Sequence, residues 1–206
     1  MHNQGMTFSG DQIETLAQAI AHRRSMGLSR LREDEVPPEM IDRMLRAADW
    51  APSHGDTEPW RYIVFAGEAR SQLAEAYAKA YIADHTGDKY DPVGEQGYRD
   101  RASYAPVWIA IAMTPALNED GTLVMTETEE LMAVACSVQN LHLMASAQGL
   151  AGMWHSKGVS IHPAVAKELG FEPPSRLLGF FFCGFPNVDW PEGERKPIEE
   201  KVSWAS

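Results

Sequence analysis

Apolar residues recur at helical spacing in some stretches of this chain and as short dense runs in others, and the two rhythms alternate along most of its length. Ser9 and Gln12 form a capping-box pattern ahead of Ile13, Leu16, Ala17, Ile20, Ala21 and Arg24, which predicts a first helix with Gly27 placed to end it. Pro38 suits the first turn of a second helix whose apolar face is Ile41, Met44, Leu45 and Ala48. The alternating run from Trp60 to Phe65 reads as a strand, and residues 68–83 as a third helix with Leu73, Ala76, Tyr77, Ala80 and Tyr81 on one face. Residues 84–103 are polar and broken by Gly87, Pro92, Gly94 and Gly97, which predicts an irregular segment, a surface excursion or a lid. Val107–Met113 is apolar throughout and bounded by Pro106 and Pro115, as expected of a central strand covered on both faces.

Residues 127–148 form the longest predicted helix and carry two apolar stripes, Leu131, Val134, Val138 and Leu141 on one and Met132, Cys136, Leu143 and Ala147 on the other. Such a helix is buried on more than one side, one of them open to a second subunit, and Gln139 and Asn140 within it then need polar partners. Residues 150–156 and 177–183 read as further strands, separated by a short helix over 163–169 that Gly170 closes. Strands and helices alternate without strict βαβ repetition, so the pattern predicts an α+β sandwich.

At 206 residues the chain has room for one domain, 1–206, with an N-terminal arm (1–10) and a polar, proline-punctuated C-terminal tail (187–206). Its 18 Lys and Arg against 29 Asp and Glu leave a net charge of −11, which repels nucleic acid and anionic membrane and argues against both as partners. An anionic ligand must be met by a local cluster of cations. Cys136 and Cys183 lie in apolar runs without a CxxC pattern, as buried thiols in a reducing compartment do. With no basic-then-apolar leader and no run near the ~20 residues of a membrane helix, a cytoplasmic protein is expected.

The chemistry concentrates in a few places. Arg23, Arg24 and Ser25 gather two guanidinium groups and a hydroxyl at the end of the first helix; the helix dipole alone favours cations there, and a phosphate clamp is the functional alternative. The loop after the second helix sets Pro52, Ser53, His54, Asp56 and Thr57 between Trp50 and Trp60, a mixture that suits a flat hydrogen-bonding ring as well as an ordinary helix-to-strand connection. Trp154, His155 and Ser156 repeat that chemistry, and Arg195-Lys196 is the one basic cluster of the tail. The histidines lack metal-ligand spacing, so no metal site is expected. GxSxG, GxGxxG and GxxxxGK[ST] are all absent. A ligand with one phosphate, a polyol and a flat ring fits what remains, and FMN has all three parts.

The ordered motifs RRS (23–25), AAxxAPSH with PW following (47–60), APVWIAIAM (105–113), QGLAGMW (148–154) and GFP (184–186) resemble the nitroreductase family, in particular its small, minimal NAD(P)H-dependent members. The resemblance implies an α+β, nitroreductase-like sandwich with a central, mainly antiparallel sheet flanked by helices. It further implies a homodimer with FMN held at the interface, NADH or NADPH as co-substrate, and a small planar acceptor such as a nitroaromatic or quinone. By position, Arg23, Arg24 and Ser25 match the family's phosphate and ribityl contacts, with Arg195 or Lys196 completing the clamp. Pro52, Ser53 and His54 match the loop beside the isoalloxazine, contributed by the other subunit, with Trp50 near it, and Trp154, His155 and Ser156 match the segment along the ring. Gly27 stands where many members carry a further basic residue, and Asp56-Thr57-Glu58 replaces the frequent Asn-x-Gln. The flavin performs the redox chemistry, so no catalytic side chain is nominated. A flavin-binding or flavin-processing protein that does not turn over with nicotinamide is the alternative.

Overall fold

In the computed structural model, which describes residues 7–205, the helical and extended rhythms resolve into α1 (Gly10–His22), α2 (Pro38–Asp49), β1 (Trp60–Ala66), α3 (Arg70–Asp84), α4 (Pro92–Asp100), β2 (Val107–Met113), α5 (Glu127–Ala147), β3 (Ala151–His155), α6 (Pro163–Glu168) and β4 (Arg176–Gly184). Residues 1–6 of the expected N-terminal arm, and Ser206, lie outside the described residues. The strands form one sheet in the order β1-β2-β4-β3, with every pairing antiparallel. This is the expected α+β sandwich, with helices on both faces of the sheet.

Side chains alternate across each strand, so the sheet feeds two cores at once. Ile109, Ile111, Phe181 and Cys183 meet Ile41, Met44 and Ala48 of α2 and Val134, Val138 and Leu141 of α5. On the other face Phe65, Trp108, Phe180 and Phe182 meet Leu73, Ala76, Tyr77 and Ala80 of α3 and Val165 of α6. Every residue of β2 is buried, which explains its unbroken apolar run. Cys183 lies wholly inside, and burial pushes its thiol up to about 12.

One irregularity sets the end of β3. The β2–β4 register shifts at Ile111/Ala112, so that Ile111 faces Gly179 and Ala112 faces Leu177. Gly179 has φ +117°, and a Cβ there would lie 2.2 Å from the His155 carbonyl oxygen. The bulge lets the backbone after β3 pass close over β4.

Several expectations need correction. Residues 84–103 are not irregular: Asp91 caps α4 by accepting from Val93 N and Gly94 N, Pro92 occupies the first turn, and Tyr98 packs edge-on against Tyr81. α1 ends at His22, so Arg23–Ser25 are extended and Gly27 is not the terminator; Ser25 instead makes a parallel bridge to Gly152 on the open edge of β3. Cys136 is exposed, because it belongs to the outer stripe of α5 with Met132, which is 56% exposed. Gln139 is exposed and Asn140 half-buried on α5; the buried polar residues of that helix are Glu130, Ser137, His142 and Ser146. α1 buries nothing: Ile13 and Leu16 are each 58% exposed and Ile20 51%, so its apolar face is uncovered in the single chain. No helix among the described residues is long and apolar enough to cross a membrane.

Gly179→Ala should destabilise the protein by about 1–3 kcal/mol from backbone strain alone, with the clash against the His155 carbonyl adding to it. Gly27→Ala, at φ −73° with open space around it, should leave stability unchanged or raise it by up to about 1 kcal/mol. Urea unfolding of the two variants checks this; equal midpoints would show that the bulge does not need glycine.

Candidate functional site

The pairing of Ser25 with Gly152, reinforced by Met26 N donating to Gly152 O at 3.0 Å, fixes where Arg23 and Arg24 emerge. They line a cleft of about 340 Å³ with Ile20, Ala21, Gln139, Gly193 and Arg195. The tail thus delivers Arg195 to Arg23, while Lys196 is exposed and does not line the cleft. Among the described residues none of these three arginines has a carboxylate partner. Burial, then Arg195, then Arg24 lower the pKa of Arg23 from its ordinary value, the response of a cation gathered with like charges. The group therefore carries positive charge that no carboxylate among the described residues compensates.

Beneath Arg23 lies His142, 6% exposed. Its Nε2 donates to Arg24 O at 3.0 Å, which leaves Nδ1 to accept from Arg23 Nη1 at 3.3 Å; the tautomer follows from these partners. Burial first, and Arg23 second, lower its pKa to about 4. His142 was not among the sequence candidates, because its spacing in α5 marks it only as one more inward position.

At the far end of β3 the expected trio divides. Trp154 joins the α2–α5 core and its Nε1 donates to Leu178 O at 3.1 Å, whereas His155 points to the opposite face, within 2.8 Å of Ser160 Oγ through Nδ1. Ser156 is exposed. His155 lines a second cleft, of about 380 Å³, with Gly97, Tyr98, Arg101, Tyr104, Lys157, Gly158 and Val159. Burial, then Arg101 and Lys157, lower its pKa. Arg101 and the Ser160 hydroxyl adjoin the buried Tyr77 hydroxyl, whose pKa burial pushes up. The polar, glycine-broken pattern of residues 84–103 hides Arg101, and its place just before a buried strand is the signal that points to it.

The loop after α2 is elsewhere. His54 Nδ1 lies 2.8 Å from Glu129 Oε1 at the start of α5, and the Thr126 hydroxyl first, then His54, pull Glu129 down to about 2. Ser53 Oγ accepts from Glu58 N at 3.1 Å, and Pro52 is exposed. Trp60 is buried, with its Nε1 donating to Asp49 at 3.0 Å, while Trp50 is 87% exposed. Buried Glu130 accepts from Thr57 Oγ1 at 2.7 Å and from Ala116 N at 3.3 Å, tying the loop to α5. His54 touches Glu129 and Arg23 touches His142, positions on α5 separated by about 20 Å at 1.5 Å per residue. One chain therefore does not bring the Trp50–His54 group to the arginine cleft. No cluster of His, Cys, Asp or Glu among the described residues is grouped to hold a metal ion.

Fold and clefts together define an α+β sandwich protein with an arginine-lined cleft at one end of β3 and a second, aromatic cleft at the other. The chain belongs to the nitroreductase family, whose sequence profile matches residues 20–185. Nitroreductase NfnB of Mycolicibacterium smegmatis is 37% identical over 197 residues, 84% of this chain and 83% of that protein. YdjA of Escherichia coli, provisionally named an NAD(P)H nitroreductase, is 28% identical over 171 residues, 83% of this chain and 88% of that protein. The crystal structure of a nitroreductase-like family protein from Bacillus cereus superposes with a TM-score of 0.75 at 25% identity over 97% of this chain and 98% of that one. That of the FMN-dependent NfnB in complex with NADPH does so with 0.69 at 23% identity, over 95% and 100%.

The folded pKa of His142 lies below its unfolded value of 6.5, so the unfolded chain binds more protons between 6.5 and about 4. Its contribution to stability is complete above pH 6.5 and is lost as pH falls toward 4, a span worth about 3 kcal/mol. Urea unfolding across that range should show a loss in the wild type that His142→Gln largely removes; parallel pH profiles would show that His142 is not the group responsible.

Proposed function

We propose that this protein is an FMN-dependent oxidoreductase that takes electrons from NADH or NADPH and passes them to a small planar acceptor, a nitroaromatic or quinone. The observation that carries the reading is the convergence of Arg23, Arg24 and Arg195 without a carboxylate, in a chain of net charge −11, at one end of β3. At the other end, about 13 Å along the strand at about 3.3 Å per residue, lies the cleft with Tyr98, Tyr104, His155 and Arg101. Cations for a phosphate at the first and aromatic, cationic walls for a ring at the second match the chemistry of FMN. The relative NfnB, FMN-dependent and crystallised with NADPH, supports the same assignment.

FMN supplies the redox chemistry when bound. Arg23 and Arg195 hold the phosphate, with neutral His142 orienting Arg23 from beneath. Arg101 keeps a fixed positive charge in the ring cleft, which stabilises negative charge gathering there during reduction. Tyr98, Tyr104 and Lys157 shape the opening toward flat acceptors. The sheet is antiparallel and offers no βαβ cradle for a dinucleotide, so nicotinamide and acceptor use one opening in turn.

The working unit is a homodimer. The uncovered apolar face of α1, the outer stripe of α5 and exposed Trp50 form the surface a second copy covers. A partner's Trp50–His54 loop then reaches the flavin that this chain's own loop, some 20 Å away along α5, does not.

Arg23→Ala should weaken FMN binding by about one to two orders of magnitude, since a charged hydrogen bond contributes ~1.5–3 kcal/mol. Titration of apo-protein measures it, and unchanged affinity would remove Arg23 from the site. The reconstituted protein should sediment as a dimer. NADH or NADPH should bleach its yellow colour under nitrogen, a quinone or nitroaromatic should restore it, and initial rates should give parallel double-reciprocal lines. A yellow protein that neither nucleotide bleaches would favour flavin binding without nicotinamide turnover.

A further inference from the structure

Three arginines line the anion cleft, but their surroundings differ. Arg24 Nε donates to Pro191 O at 2.9 Å, and its Nη1 donates to Arg23 O at 2.9 Å and to Ala21 O. Its guanidinium lies against the tail backbone so closely that a Cβ on Gly193 would come within 2.4 Å of Cζ and Nη2. Just before these contacts, Trp190 stacks on His22 with ring centroids 4.5 Å apart and planes 8° from parallel, and its Nε1 donates to His22 O at 2.7 Å. Residues 190–193 are therefore lashed to the end of α1, and Arg195 follows two residues later. Arg195 itself donates only to its neighbour Glu194 O, at 2.7 Å, and has no ion pair among the described residues.

We propose that Arg24 is a positioning residue: it straps the C-terminal segment to α1 so that Arg195 reaches the anion cleft, and it does not itself hold the anion. The proposal rests on the reading of that cleft as the phosphate site. Like charges give a physical reason for a strap. Before an anion arrives, Arg195 and Arg23 repel one another, which adds to burial, the larger cause, in lowering the pKa of Arg23, and the tail contacts offset that repulsion. Arginine suits the task because its planar fork reaches several carbonyls at once, which a lysine ammonium does not reproduce.

The test uses the full-length apo-protein. Arg24→Gln should raise hydrogen exchange of the Trp190 indole N–H, which donates to His22 O, by about tenfold or more without altering amide exchange in β2 and β4. FMN affinity should fall by roughly ten- to hundredfold, as in Arg195→Gln, while affinity for riboflavin, which lacks the phosphate, stays unchanged in both. The double variant should bind FMN no more weakly than Arg195→Gln alone, because the two residues act through one contact. Gly193→Ala, which keeps every charge but displaces the guanidinium, should reproduce the Arg24→Gln result. Additive losses with unchanged exchange would mean that Arg24 holds the anion directly and would overturn the proposal. A loosened tail in Arg24→Gln, with FMN affinity untouched by Arg195→Gln, would uphold the strap and remove the phosphate reading instead.

Discussion

Burial of the sheet on both faces is the constraint from which the rest of the structure follows. Every side chain of β2, and those of β4 from Leu177 on, are committed to one core or the other, so no polar group can be mounted on the middle of the sheet without losing its hydration. Functional groups are displaced to the open edge of β3 and to the ends of elements. The edge itself is an unpaired row of backbone donors and acceptors, and the segment after α1 takes up part of it through Ser25 and Met26. That pairing is also what aims Arg23. Edge protection and the placing of the arginine cleft thus share one set of backbone bonds.

The electrostatics of the edge run against those of the whole chain. A net charge of −11 repels anions at a distance, but screening confines that field to about 8–10 Å at physiological salt, and inside the cleft the guanidinium groups dominate. Keeping them together without a counterion is costly. The molecule meets that cost by construction: His142 is held neutral so that its bare Nδ1 accepts from Arg23, and the tail is fastened by backbone carbonyls and by the His22–Trp190 stack, none of which needs a negative charge. A carboxylate in their place would neutralise the cleft.

A single chain leaves apolar surface uncovered and keeps two of its polar groups apart. α1 and the outer stripe of α5 present apolar residues to solvent, Trp50 stands clear of any neighbour, and the loop carrying His54 is anchored by Glu129 and Glu130 at the wrong end of α5 to meet Arg23. The proposed second copy resolves these together, since a cover for the helices places another such loop near the cleft.

How much of this the sequence determined depends on the range of the interaction involved. Apolar periodicity is local, so the strands, α2, α3, α5 and the buried centre of the sheet were legible in it, and the capping box of Ser9 and Gln12 formed as written. The RRS triplet and the Arg195-Lys196 pair stand out as clustered cations in an acidic chain, and only packing sets Arg195 rather than Lys196 in the cleft with Arg23. α4 was not, since its glycines obscured a cap that Asp91 supplies. Nor were His142 and Arg101, whose importance arises only when α5 lies beneath Arg23 and α4 ends beside His155. The splitting of Trp154 from His155 follows from strand alternation, but which face each would meet depended on the packing of α2, α3 and α5. Local sequence chose the elements and the kinds of side chain available; tertiary packing alone decided which of them stand together, because burial and pairing join residues more than a hundred positions apart, as Arg23 and His142 are.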